Sequence, residues 1–302
     1  MCIRDSNHPL RGRYIDIIMN IVKPYIELWH QDADWIHHVA KCARICYASD
    51  GSNDVKLVDN LLKLGHLSMF RHRSIYYIIP KDNKYIELVK RLEFCPYVEY
   101  LIGSEVIYLA TNGHFYIEHK DNILKTFEPF IVTVEEFINW ELGWRLMRYT
   151  FKVTTQISTS RELNRVSPNN IAEQSTRYVY ENGTICCPHW MNDYSISKTI
   201  NGKYLCYKNG EEDKGVVLDY IQGCDEQFNR YKRLVDNGMQ RQDARGVLPL
   251  DTATICAYTY SVSQWRDIID LRYRGKTGAP HPNAKIIAGM IREELIKFGY
   301  DF

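Results

Sequence analysis

The chain has 302 residues, 45 % of them hydrophobic, enough to bury a substantial core in one large domain or two small ones. Its 38 Lys and Arg stand against 37 Asp and Glu, a formal charge of +1, which argues against a broad nucleic-acid-binding face but leaves room for a local basic pocket. No apolar run reaches the length of a membrane span, and nine cysteines without the regular spacing of a disulfide framework fit a reducing, cytoplasmic setting.

Residues 1–18 fit poorly with the rest of the chain, and Met19-Asn20-Ile21-Val22 reads as a natural start. The leader is therefore expected to be extraneous and 19–302 to form a single domain. From Asp34 to Ala48, Ile36, Val39, Ala40, Ala43 and Cys46 mark one face of an amphipathic helix. Val55, Val58, Leu61 and Leu62 do the same for a second helix, which Gly65 can terminate. Beyond Gly65-His66-Leu67-Ser68, Ser74 to Ile79 is a strand-like run stopped by Pro80. His66 and His72 beside this junction could touch a cofactor, although a histidine in such a place is more often a satisfied packing residue. Residues 81–147 are expected as an insertion that packs on the core or covers the site. They carry a helix around Tyr85 to Leu92, a strand around Val106 to Ala110 and a helix around Val134 to Trp144, with no catalytic pattern.

Tyr149, Phe151 and Val153 then alternate with Thr150, Lys152 and Thr154, the period of a half-buried strand. Ser158 or Ser160 is expected to cap a short helix carrying Arg161, Glu162, Leu163 and Arg165, with Pro168 outside it. Gln174 to Tyr178 comes after it as a turn. This stretch gathers Arg161, Arg165 and Arg177 with Glu162, Glu173, Gln174 and Ser175. The planar fork of arginine matches phosphate and carboxylate oxygens two at a time, so a helix-to-turn unit of this kind could aim guanidinium, hydroxyl and backbone amide at one anion. The bland alternative is a charged surface helix leading into an ordinary loop.

Cys186-Cys187-Pro188-His189 lacks the second ligand pair of a zinc knuckle, and no metal is expected. Asn182-Gly183, Asn201-Gly202 and Asn209-Gly210 suggest hairpins or a surface excursion. A long helix from about Val216 to Val235 comes next, then a short helical turn at Arg241 to Arg245 ending at Leu248-Pro249. Ser261 to Leu271 reads as a helix that delivers Asp267 and Arg272 near its end. A rigid turn from Gly278 to Pro282 precedes a last helix from Ala284 to Phe298.

These pieces together resemble the flavin-dependent thymidylate synthases. The signature of that family runs R-H-R-x-x-S, four further residues, then S-x-R-Y. Arg165 opens it here, and Ser175-Thr176-Arg177-Tyr178 closes it at the right separation. Arg44-Ile45-Cys46-Tyr47, Gly65 to Ser68, Ala244 to Pro249, and Trp265 to Arg272 with His281-Pro282 beyond it resemble further family segments in the family's order. There are departures. Val166 and Ser167 stand where the family has His and Arg, Asn170 holds the serine position, and Arg71 precedes His72 where glutamate is usual. Arg71-His72-Arg73 imitates the opening of the signature, but no S-x-R closes it.

The resemblance implies an α/β (α+β) fold, a mixed sheet core with flanking helices. It implies reductive methylation of dUMP to dTMP with methylenetetrahydrofolate as one-carbon donor, FAD as hydride carrier and NADPH as reductant, in homotetramers whose sites draw on several subunits. It places Glu162, Arg165, Glu173, Gln174, Ser175, Arg177, Arg245 and Arg272 around dUMP. It places His66, Ser68, Arg165, Glu173, Asp267, Arg272 and His281 around FAD. Catalysis would rest on Ser175, Arg177 and Arg272, the last stabilising charge on the pyrimidine carbonyl. Ser175 as a nucleophile would need a base, and none can be assigned to it from the sequence. Because the missing His and Arg approach the flavin, a second reading is a non-catalytic nucleotide-binding or assembly protein that keeps the phosphate clamp without productive flavin binding.

Overall fold

The computed structural model describes residues 19–31, 34–165, 168–199 and 201–302, so the leader at 1–18 and the substituted pair Val166 and Ser167 lie outside the described residues. The chain begins with strands β1 (Asn20–Val22) and β2 (Tyr25–Trp29), then helices α1 (Trp35–Ile45) and α2 (Asp54–Lys63). Asp34 caps α1 by accepting from the Ile36 and His37 amides, and Asn53 caps α2 from Lys56, which fixes both starts near where the apolar periodicity begins. Gly65, at φ 70°, ends the second helix as expected.

Next come β3 (Ser74–Pro80), α3 (Asn83–Lys90), β4 (Val98–Ile102), β5 (Val106–Asn112), α4 (Gly113–His119), β6 (Ile131–Val132) and α5 (Val134–Asn139). The helix expected over Val134 to Trp144 is thus shorter. Its Thr133–Glu136 capping box is present, but the chain turns after Asn139 and brings Gly143 back onto the helix so closely that a Cβ there would stand 1.8 Å from the Phe137 carbonyl oxygen, an approach only glycine permits. The four strands pair antiparallel in the order β4-β5-β3-β6. Both faces of this sheet are covered. Ile75, Tyr77 and Ile79 pack into one cluster with Val89 and Phe127, while Tyr76 and Tyr108 face a second cluster shared with the rest of the molecule.

That rest is organised by a second antiparallel sheet, β2-β7-β13-β8, where β7 is Arg148–Gln156, β8 Ile171–Glu173 and β13 Ala253–Ser261. Phe151, Val153, Tyr258, Tyr260 and Trp265 join Tyr76 and Tyr108 in the shared cluster, and Trp29, Cys42, Ala172 and Ala257 close the other face under α1. Between β7 and β8 runs α6 (Ile157–Leu163). Neither expected serine caps it: Gln156 is the N-cap and its side chain accepts no amide bond there, while Ser158 and Ser160 lie inside the helix.

After β9 (Thr184–Cys186), which pairs parallel with β1, the excursion forms a meander, β10 (Tyr194–Lys198), β11 (Tyr204–Lys208) and β12 (Glu211–Glu212). Asn201-Gly202 and Asn209-Gly210 sit at its two turns, whereas Asn182-Gly183 leads into β9 and makes no hairpin. The later helices are α7 (Val216–Asp236) and the one-turn α8 (Arg241–Ala244), then, after β13, α9 (Val262–Ile269) and α10 (Pro282–Ile296). Ser261 and Gln264 form a capping box at the start of α9, and Glu99 of β4 accepts from both Ser261 and Ser263, tying the two sheets together. The mixed α+β architecture with helices flanking sheets is the class the resemblance implied. No helix of the described residues is long and apolar enough to cross a membrane.

Candidate functional site

Strand β8 and the turn after it are held in place by backbone bonds. Gln174 N–H donates to the Ile255 carbonyl (2.9 Å) and Ser175 N–H to the Cys46 carbonyl (3.1 Å). The Tyr47 and Tyr178 rings lie 5.3 Å apart, so the Arg44–Tyr47 segment and the Ser175–Tyr178 segment, far apart in sequence, meet. Arg241 Nη1 donates to the Tyr178 carbonyl (2.6 Å), Arg177 Nη2 to Gln242 Oε1 (3.4 Å) and Arg245 Nη1 to Thr176 Oγ1 (3.0 Å), which laces this turn to α8.

Between α6, this turn and the Arg245–Leu250 segment lies an open cleft of two adjoining hollows, about 330 and 270 Å³. Arg161, Thr176 and Arg245 line both hollows, and Glu173, Gln174 and Ser175 line the smaller one. Four of the expected substrate residues, Glu173, Gln174, Ser175 and Arg245, are thus brought together. Arg161, which the family segments did not assign to the site, stands with them. Arg177 is exposed at the edge, paired with Gln242 and 5.4 Å from its neighbour's ring at Tyr178.

Ser160, not needed as a cap, instead donates to Glu173 Oε1 (2.8 Å), and Thr254 Oγ1 donates to the same oxygen (3.3 Å). Two hydroxyls therefore orient the carboxylate toward the cleft floor. Behind it burial raises the Cys46 and Cys256 thiols, Cys256 well above the ordinary value with the Glu173 charge adding to the effect, so both stay protonated and are no nucleophiles. Ser175 Oγ accepts the Arg177 amide (3.3 Å), and no imidazole or carboxylate bonds to it among the described residues. Its hydroxyl is placed to bind, not activated to attack.

One residue further along α6 the helix surface turns by about 100°, and Glu162 faces another group. Its two oxygens pair with Arg165 Nη2 (3.3 Å) and Arg272 Nη1 (3.4 Å). Arg272 belongs to a π-helical turn, Asp270–Arg274, that continues α9 and ends at Gly275, where φ is 73° and a Cβ would meet the Gly278 carbonyl at 2.8 Å. Arg272 Nε is buried without an acceptor among the described residues. A buried donor of that kind leaves an unmade charge-assisted bond, which a ligand oxygen would complete.

The remaining expected flavin residues are not in the cleft lining. His66 and Ser68 are exposed at the junction after α2, and Asp267 is exposed on α9. His281 is the N-cap of α10, its Nδ1 accepting the Asn283 amide (3.3 Å), with the His189 ring 6.3 Å away. Arg71, where a glutamate was expected, donates through Nη1 to the Asn169 carbonyl (2.9 Å) and through Nε to His114 (3.0 Å), so it anchors the start of the β8 segment. His72 is fully buried against Thr259 Oγ1 (2.7 Å), the packing role rather than the cofactor one.

A family model described as Thy1, thymidylate synthase complementing protein, matches residues 144–298, just over half of the chain. No curated protein sequence matches. Among solved structures, the UMP/dUMP methylase PolB from Streptomyces cacaoi bound with 5-Br UMP is similar at 18% identity and a TM-score of 0.41, covering 92% of each chain. The same enzyme bound with 5-Br dUMP is similar at 18% identity and a TM-score of 0.45, covering 92% of this chain and 93% of that one. Overlaps this loose carry no argument about substrate or site.

Proposed function

The chain belongs to the Thy1 family of thymidylate synthase complementing proteins, and on that premise we propose that it binds dUMP in the cleft and methylates it to dTMP. The observation that carries this reading is the cleft itself: Arg161 and Arg245 face one space with the Ser175 hydroxyl and the Glu173 and Gln174 side chains. Two guanidinium groups offer a phosphate dianion charge-assisted bonds that water cannot match in number or direction. Arg177 completes the clamp by leaving Gln242 for the phosphate. Glu173, oriented by Ser160 and Thr254, and Gln174 offer an acceptor and a donor suited to the edge of a pyrimidine.

The donor of the one-carbon unit in this reading is methylenetetrahydrofolate, and NADPH is the reductant. FAD, when bound, supplies the hydride. The residues present fit an oxygen-bearing ring system at one place: Arg272, with its buried Nε unpartnered and its outer nitrogen held by Glu162. There it would hold ligand carbonyl oxygen and stabilise charge that develops on it. Arg165, exposed and paired to Glu162, serves the same group. His66, Ser68, Asp267 and His281 stand away from the cleft of their own chain, and we assign them to the flavin of a neighbouring subunit in a homotetramer.

An absorbance spectrum with added FAD and then dUMP tests the reading. A bound-flavin spectrum that shifts on addition of dUMP, with both responses lost in Arg177→Ala and Arg245→Ala for the nucleotide and in Arg272→Ala for the flavin, is the expected result. The rival reading, a non-catalytic nucleotide-binding or assembly protein, is favoured by Val166 and Ser167 in place of the signature His and Arg. It predicts dUMP binding with an unchanged free-flavin spectrum.

A further inference from the structure

Gln174 lines a second cavity besides the cleft. It measures about 550 Å³, and its walls come from Trp29 of β2, Lys41 and Arg44 of α1, the turn after that helix, and Lys152 of β7. Three cations and one carboxylate, Asp50, line it. Lys41 Nζ stands 3.9 Å from the centre of the Trp29 ring and Lys152 Nζ 5.9 Å from the same ring. Arg44, with a side chain only 13% exposed, is braced from outside by Asp54. Burial pushes the Asp54 carboxyl up, but hydrogen bonds from His37 and Arg44 outweigh it and hold the group below its ordinary value, so Asp54 stays charged and Arg44 stays in place. Lys152 has Glu27 at 3.4 Å, and Asp50 is the acid in the lining. Lys41 pairs with no carboxylate among the described residues, and the Trp29 Nε1 is buried without an acceptor among them.

A surface lysine that covers a tryptophan needs no ligand to explain it. Glu27 and Asp54 answer Lys152 and Arg44 from outside the lining, so Lys41 is the one of the three cations left without a carboxylate among the described residues, and it shares the Trp29 ring with Lys152 in an open hollow. An anionic group in the hollow would meet three cations against the one carboxylate of the lining, with charge-assisted bonds open to it first from Lys41. We propose that this cavity binds a dianionic group, phosphate or a pair of carboxylates, through Lys41, Arg44 and Lys152, with Gln174 linking it to the cleft. Two sources share that chemistry. One is the dicarboxylate glutamate tail of the folate donor, an assignment that rests on the function proposed above. The other is a free anion such as inorganic diphosphate.

Calorimetric titration separates them, using wild type and a Lys41→Ala, Lys152→Ala double variant against diphosphate, tetrahydrofolate and tetrahydropteroate, which lacks the tail. The expected result is a dianion-bearing ligand that binds wild type and loses at least about tenfold in affinity in the double variant, one charge-assisted bond or more, while dUMP affinity moves less than about twofold. A preference for tetrahydrofolate over tetrahydropteroate that vanishes in the double variant assigns the tail. Diphosphate binding with no such preference assigns the free anion. Wild type that binds neither diphosphate nor the tail, or a double variant with undiminished affinity, overturns the proposal. Lys41→Arg, which keeps the charge, covers the case in which exposing Trp29 unfolds the wall: retention of affinity there with loss in Lys41→Gln is expected, and equal affinity in the two overturns it. Wild type that fails to bind dUMP would sink the proposed function and leave the diphosphate titration valid.

Discussion

In the seam between the two large sheets Arg148 is 7 % exposed and donates to Ser74 Oγ (3.2 Å) and to the carbonyls of Arg71 (3.2 Å) and Thr259 (3.5 Å). In the cleft Arg245 is exposed, and its side chain bonds Thr176. Around Arg148 the polar groups close on one another: Thr259 bonds His72 and Thr150, and Thr150 bonds His38. A buried guanidinium that spends its Nε and Nη2 donors on the fold, as Arg148 does, holds the fold, and one whose donors face open space is free to hold something else. Counting arginines near a suspected site does not distinguish the two.

The largest effect expected from this contrast is on stability. Arg148→Leu strands Ser74 and two carbonyls in a buried seam and should cost on the order of 3 kcal/mol, read as a shift in the urea midpoint. Arg245→Ala should leave that midpoint unchanged within about 0.5 kcal/mol while weakening dUMP binding by roughly 10- to 100-fold, the loss of one charge-assisted contact. If Arg148→Leu folded as well as wild type, or Arg245→Ala lost stability instead of affinity, the division between structural and ligand-facing arginine would collapse.

Each region also holds a group that titrates against its surroundings. Burial, with the nearby charges of His38 and Arg148, pushes His72 down to about 3, and burial alone pushes Glu181, just past the Ser175–Tyr178 turn, up to about 7. Between those values and the unfolded ones of 6.5 and 4.5 the signs oppose. His72 is neutral in the fold while the unfolded chain binds the proton, so its share of stability is full above pH 6.5 and falls as pH drops toward 3. Glu181 keeps its proton in the fold, so its share is full below pH 4.5 and falls as pH rises through 7. From pH 4.5 to 6.5 the two slopes cancel. Glu181→Gln should therefore gain on wild type as pH rises, by on the order of 3 kcal/mol at pH 8, and His72→Gln should remove the acid-side loss; urea midpoints across pH read both. The smallest effect is reserved for His66→Ala: exposed as it is, it should shift stability by less than about 0.5 kcal/mol while weakening FAD binding in a spectroscopic titration.

The amphipathic helices α1, α2, α7 and α10 were legible because one face of each is dry and the other wet. Strand β7 was legible from its alternation of apolar and polar residues, but it is not half-buried as expected: its polar side chains, Thr150 and Thr155 among them, are buried too. Strand β13 was not legible. Cys256, Ala257, Tyr258, Thr259 and Tyr260 are all buried, so the centre of the sheet carries no alternation to read. Short strands such as β6 and β8 are set by partners far away in sequence and leave no local mark. Within the site, the motif segments picked out Glu173, Gln174, Ser175 and Arg245, which do share a cleft. They assigned Arg165 to the substrate and left out Arg161, which is the one in the cleft lining. Four residues apart, the two would share one face of a longer helix, but α6 ends at Leu163 and Arg165 turns to Glu162 instead, leaving Arg161 alone of the pair in the cleft lining. The order in which the segments meet, Cys46 against Ser175 and Thr176 against Arg245, belongs to the tertiary structure.

The pairing across the central sheet bears on how the chain reaches this state at all. Tyr25 lies opposite Thr154, and Thr154 opposite Ile255, so adjacent residues of one sheet are 129 and 101 positions apart in the chain. Such high contact order makes closure slow, and a chain emerging from the ribosome has β7 with a bare edge until β13 arrives. Cleft walls on β8 and on the Arg245–Leu250 segment meet only at that step. Synthesis stopped short of Ala253 thus yields no weakened site but an aggregation-prone edge with none, and the demand on chaperones should fall late in translation rather than early.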